Sequence, residues 1–154
     1  MKVLLTAFNG KNNSSKVLLD MIKHDNKLYL KNSFTSSVNQ LEKELKSNEY
    51  DLIISFGQAS LDNDTLKIET VGKNIVKYRT QYDYIFLKKK LEDKGFNIII
   101  SEDAGNYLCN NIYYNGLKYI KEHNLSADMI FIHIPKINYI SDMEKLADIF
   151  NNKN

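Results

Sequence analysis

The stretch FNIIISEDAGNYLCNNIYY, Phe96 to Tyr114, passes from an apolar run through a polar turn into a helical pattern. Phe96 to Ile100 reads as a buried strand, Asp103-Ala104-Gly105 as the turn, and the residues beyond as a helix. A strand, a short turn and a helix in that order display a side chain at the edge of a sheet. The chain's single cysteine, Cys109, stands just there. A thiol at the positive end of a helix would feel the helix dipole and lose its proton more easily. The same residues allow a plainer account. Cys109, Ile112, Tyr113, Gly116, Leu117 and Ile120 fall at i, i+3, i+4, i+7, i+8 and i+11, the inward stripe of an amphipathic helix. Unpaired cysteine usually packs as a small apolar side chain. Spacing alone favours core packing, so a nucleophile needs support from elsewhere in the chain.

Working outward, the pattern repeats. Lys2 to Phe8 and Asp51 to Phe56 are apolar runs suited to the middle of a sheet, and Met129 to Ile134 is another. Leu28 to Leu30 is a short strand, and Leu66 to Val71 alternates as a strand should. Helices are expected from Ser14 or Ser15 to about His24, from Ser36 or Ser37 with Val38, Leu41 and Leu45 inward, from Ile85 to Lys94 closed by Gly95, and from Ser141 onward. Strands separated by helices, with apolar central strands, predict one α/β domain over residues 1–154. It would be a three-layer α/β/α sandwich with a mostly parallel central sheet. Ligands in such sheets bind beyond the carboxyl ends of strands. Those ends are expected at Phe8, Phe56-Gly57-Gln58, Ser101-Glu102-Asp103 and His133, which would bring a cysteine and a histidine to one rim.

Composition narrows the classes. The chain has 154 residues, 43% hydrophobic and 26% charged, with a formal net charge of +2. Charges of both signs are interspersed, so a nucleic-acid partner is not expected. One cysteine excludes an internal disulfide and a cysteine-rich zinc site, no His/Asp/Glu cluster has metal-ligand spacing, and no cofactor is expected. No apolar run approaches a membrane span, Met1 to Thr6 reads as a first strand rather than a signal core, and a cytoplasmic location is the default.

His133 closes its run before Pro135 and shares a face with Met129 and Phe131. It reads either as a strand-end histidine bonded to a carbonyl or as a general base for Cys109. Glu69 reads as an exposed carboxylate beside Lys67, or as the third member of a triad. Arg79 reads as a surface cation, or as a donor near developing negative charge.

At these residues the sequence resembles pyroglutamyl peptidase I, the pyrrolidone-carboxylate peptidase family of cysteine peptidases. Lys2 to Phe8 is similar to the family's opening strand and Asp51 to Ala59 to its strand ending in Gly-Gln-Ala. Glu69-Thr70-Val71-Gly72-Lys73-Asn74 is similar to its Glu-Arg-Val-Ala-Ile-Asn, with Arg79 at the arginine spacing. Asp103 to Asn110 with Tyr114, and Ala127-Asp128 with Phe131 to Pro135, resemble its cysteine and histidine motifs. The resemblance implies a phosphorylase/hydrolase-like fold with a mixed sheet and removal of N-terminal pyroglutamate from peptides. It makes Cys109 the nucleophile, His133 the base and then acid, and Glu69 the residue that orients the imidazole. Backbone N–H groups near Gln58 and Cys109, with Arg79, would hold the oxyanion, and Phe8, Gln58, Tyr107 and Leu108 would line the lactam pocket. The family often forms homo-oligomers.

The chain departs from the pattern at its loops. A second pocket aromatic after Phe8 is missing, Ser60 to Asp64 replaces a Gly-Gly-Arg segment, and the segment after Arg79 is reduced to Thr80 to Tyr84. Two other readings therefore stand beside the first. One is a related cysteine hydrolase with a different small N-terminal or amide substrate, and the other is a non-catalytic binding module on the same scaffold.

Overall fold

Apolar runs long enough to span a sheet become its centre, and shorter or more polar runs its edges. In a computed structural model describing residues 1–152, the elements run β1 (Val3–Phe8), α1 (Ser14–Met21), β2 (Lys27–Leu30), α2 (Phe34–Ser47), β3 (Leu52–Gln58) and β4 (Thr65–Glu69). They continue β5 (Val71–Lys73), β6 (Lys77–Arg79), α3 (Tyr84–Asp93), β7 (Asn97–Ser101), α4 (Leu108–Glu122), β8 (Asp128–Ile134) and α5 (Met143–Ile149). Six strands form one sheet in the order β2-β1-β3-β8-β4-β7, and β5 and β6 form a separate hairpin.

The strands β2, β1, β3 and β8 are parallel, β4 lies antiparallel against β8, and β7 is parallel to β4. Two expectations are corrected here. Because β7 runs against β8, its end at Ser101-Glu102-Asp103 does not share the rim with the ends of β3 and β8. Ser101 is level with Glu69, and Glu69 with Phe131 in mid-strand. The loop over 102–107 then leads into α4, whose second residue lies over Gly57. Nor is the isoleucine run buried: β7 is an edge strand, with Ile99 47% exposed.

Strand alternation sorts the sheet into two faces. Leu4, Phe8, Ile53, Met129 and Phe131 pack with Leu41 and Leu45 of α2 and with Leu108, Ile112, Tyr113 and Leu117 of α4. Leu5, Ala7, Ile54, Phe56, Ile130 and Ile132 pack on the other side against α1, α3 and α5. Complete burial of side chains such as Ile53 and Ile112 is worth about 1.5–3 kcal/mol each. This gives the three layers expected.

Helix ends are set by local chemistry. Asn13, one residue before the expected cap, accepts from the Ser15 N–H to start α1, which stops at Met21 rather than near His24. Ser33 caps α2 three residues earlier than expected. Gly95 closes α3 at φ +96, with its N–H donating to the Glu92 carbonyl, a left-handed position that favours glycine. The expected strand Leu66 to Val71 breaks at Thr70, whose N–H and hydroxyl both donate to the Ser101 carbonyl. No helix among the described residues is long and apolar enough to cross a membrane.

Candidate active site

Residues 129, 131 and 133 of β8 alternate onto the α4 face. In the antiparallel pair with β4, His133 stands opposite Lys67 and Phe131 opposite Glu69. The Glu69 carboxylate therefore reaches His133 on the diagonal, with Nδ1 to Oε2 at 2.7 Å. Glu69 is 0% and His133 6% exposed. The exposed carboxylate of the plain sequence reading is in fact sealed in the sheet. The Tyr113 hydroxyl of α4 donates to the Glu69 main-chain carbonyl at 2.7 Å, tying helix to strand.

Cys109 reaches the same spot from the helix. Gly57 of β3 is the register partner of His133. A Cβ built on Gly57 would lie 2.6 Å from the Cys109 Sγ and 2.7 Å from the Phe131 ring. The sulfur thus sits against bare main chain directly across from the histidine. Glycine inside a strand commonly marks such a close approach. Gly57→Ala is expected to displace the sulfur or the ring, lowering thermal stability by about 1–3 kcal/mol and turnover by about 100-fold. Thermal melts and steady-state kinetics on the purified variant check both.

The electrostatics correct one expectation. The helix end does not prevail at the thiol: burial, and then the nearby Glu69 charge, push Cys109 up from 9.0 to about 12. Cys109 packs against the apolar cluster that includes Phe8, Leu108 and Phe131, where a lone thiolate is poorly solvated. A thiol whose folded-state titration is raised contributes stability that is complete below about pH 8.5, where the unfolded thiol titrates, and is lost as pH rises toward about 12. The urea midpoint is therefore expected to fall between pH 8 and 10.5, and to fall less in Cys109→Ala.

The expected recognition residues divide. Phe8 and Leu108 are both buried, in the cluster against which Cys109 packs. Gln58 follows the strand alternation to the opposite face, where its Oε1 accepts from the Ser14 N–H at 2.9 Å and anchors α1. Tyr107 is 70% exposed and edge-on to Phe34 at 5.4 Å, facing a cleft of about 400 Å³ with Lys73, Asn74 and Asn110. Arg79, on the separate hairpin, pairs with Glu102 at 2.5 Å on the surface. Its guanidinium is engaged there through one nitrogen, in an exposed ion pair. What the helix does offer is its own first turn, since no side chain caps the N-terminus of α4.

Three more residues stand at the site, none of them given a role by the sequence reading. Gly57 was signalled by its place between Phe56 and Gln58, inside a strand. Lys67 was signalled by its spacing of two from Glu69, which puts both on one face; its Nζ lies 3.8 Å from Glu69 Oε2. Asn110 had no such signal. Its amide oxygen accepts from the Lys73 N–H at 3.0 Å and its amide nitrogen donates to the Lys73 carbonyl at 2.7 Å, fastening α4 to the hairpin next to Cys109.

A family model described as pyroglutamyl peptidase matches residues 78–147, a span that takes in Cys109 and His133 and leaves Glu69 outside. A pyrrolidone-carboxylate peptidase from a Thermoanaerobacter species is 30% identical, the match covering 88% of this chain and 82% of that protein. This chain belongs to the pyroglutamyl peptidase family. Pyrrolidone-carboxylate peptidase 2 of Caldanaerobacter subterraneus subsp. tengcongensis is 31% identical over 88% of this chain and 81% of its own length. Both alignments run to 169 positions, more than this chain has residues, so they open gaps here, as shortened loops require. A mutant pyrrolidone carboxyl peptidase from Pyrococcus furiosus superposes with a TM-score of 0.83 at 22% identity, over 97% of this chain and 94% of that one, which fixes the shared fold.

Proposed function

We propose that this chain is a cysteine exopeptidase that removes pyroglutamate from the N-terminus of peptides, with Cys109 as nucleophile, His133 as base and acid, and Glu69 as the orienting carboxylate. The observation that carries the reading is the buried His133–Glu69 pair at 2.7 Å, with the Cys109 sulfur seated against the residue registered opposite His133. An ionised Glu69 holds the proton on Nδ1 and leaves Nε2 as the acceptor. A thiol raised by burial does not ionise alone. It transfers its proton to Nε2, and the imidazolium so formed is held by Glu69. The sulfur attacks the pyroglutamyl carbonyl carbon, and the oxyanion is held by main-chain N–H groups of the uncapped first turn of α4. The C–N bond breaks as Nε2–H protonates the departing amine. Water, deprotonated by His133, then cleaves the thioester and frees pyroglutamate and the thiol.

Phe8 and Leu108 supply the apolar wall for the lactam ring. A location in the cytoplasm, where a lone thiol stays reduced, is part of this reading. The test is fluorophore release from a pyroglutamyl-amide reporter, run beside prolyl- and glutaminyl-amide controls. Selective cleavage of the first is the expected result, and no cleavage of it would sink the assignment. A second reading keeps the triad and changes the substrate. It is favoured by Gln58 being bonded to α1 on the opposite face and by Tyr107 standing exposed against Phe34, and cleavage of a control reporter alone would select it.

A further inference from the structure

Glu69 is completely buried, yet only one of its oxygens has a hydrogen-bond donor: His133 Nδ1 bonds Oε2, and Oε1 has no hydrogen-bond partner. A carboxylate sealed from water with a single donor is undercompensated, because burial penalises the charged form. Among the described residues, one lysine or arginine lies within ion-pair range of it. Lys67 brings Nζ to 3.8 Å from Oε2, the very oxygen that His133 uses. That distance is too long for a hydrogen bond, so the contribution is charge alone. The lysine is held there by register, since it faces His133 across the β4–β8 pair, and it is partly exposed, so it stays solvated.

We propose that Lys67 is a positioning residue for the triad: its charge keeps Glu69 an anion and disfavours the resting imidazolium, so that His133 waits as the neutral base with its proton on Nδ1. The inference rests on the triad reading above. If Glu69 instead took the proton, it would donate to Nδ1, the ring proton would sit on Nε2, and the ring could not accept from sulfur. The groups on the neighbouring elements do not replace this charge. Gly57 on β3 carries none, Cys109 on α4 is a neutral thiol at rest, and Asp103, in the loop before α4, is exposed and paired with Lys73 at 3.1 Å. Nothing in the motif resemblance singles out position 67.

Lys67→Met and Lys67→Gln remove the charge, and Lys67→Arg keeps it. The readout is the pH dependence of Cys109 carboxamidomethylation by iodoacetamide, followed by intact mass, which needs no substrate and is unambiguous in a protein with one cysteine. Loss of the lysine charge favours imidazolium, so the acid limb of the labelling profile should move to higher pH by about one unit in the Met and Gln variants. It should stay in place in Lys67→Arg. The same displacement is expected in kcat/KM for the reporter. Labelling profiles that superimpose, or a limb that moves to lower pH, would overturn the proposal. So would an arginine variant displaced as far as the methionine one. If the wild type labels as expected but leaves the pyroglutamyl reporter uncut, the substrate assignment fails while Lys67 is still judged on labelling alone.

Discussion

Cys109→Ala is expected to reduce reporter cleavage by about 10⁴-fold or more, with the fold intact. Every covalent step of the proposed mechanism runs through the sulfur, and removing a nucleophile that works as a unit with its base forfeits nearly all of their joint contribution. The cost to structure is small by comparison. The sulfur sits at the margin of the apolar cluster rather than at its centre, and alanine retains the helix. Thermal melting close to that of the wild type, with cleavage at background, is the predicted pair of results. Cleavage that survives the substitution would remove Cys109 from the mechanism and leave the scaffold without its proposed chemistry.

Glu69→Gln is expected to lower kcat by about 10³–10⁴-fold while KM changes little, since the carboxylate orients the ring and does not face the substrate. Glutamine fills the same volume, but its amide presents an oxygen or a nitrogen to Nδ1 with similar ease. The tautomer that leaves Nε2 free is no longer enforced, and the imidazolium formed during proton transfer loses its counter-charge. Stability should hold or rise, because a buried charge with one hydrogen bond is replaced by a neutral group. Steady-state kinetics and a thermal melt on one preparation separate these effects. A kcat near that of the wild type would mean that His133 acts without the carboxylate.

The central strands were legible in the sequence because their signals are local, and so were the motifs around the cysteine and histidine of the proposed triad. Val3–Phe8, Leu52–Gln58 and Asp128–Ile134 read as buried runs, and the residues flanking Cys109 and His133 carry the resemblance. Strand direction was not legible. Nothing between residues 65 and 101 states that β4 lies antiparallel to β8, so the end of β7 was assigned to the wrong rim and its isoleucines to the interior. The orientation of Gln58 was available from the alternation Ile53, Ser55, Gly57 against Ile54, Phe56, Gln58, but motif position outweighed parity. The thiol's titration depends on burial against a cluster whose members, Phe8, Leu108 and Phe131 among them, come from separate elements. No window of sequence around Cys109 contains that information.

Glu69 and His133 both stand inside paired strands rather than on connecting segments. The proposed proton relay, mounted this way, is insulated from the history of the surrounding loops: insertions or deletions at the rim alter which molecules can approach without altering how a proton is passed. A chain with shortened loops can keep the proposed chemistry for that reason, and selectivity becomes the property that evolution or engineering can reshape first.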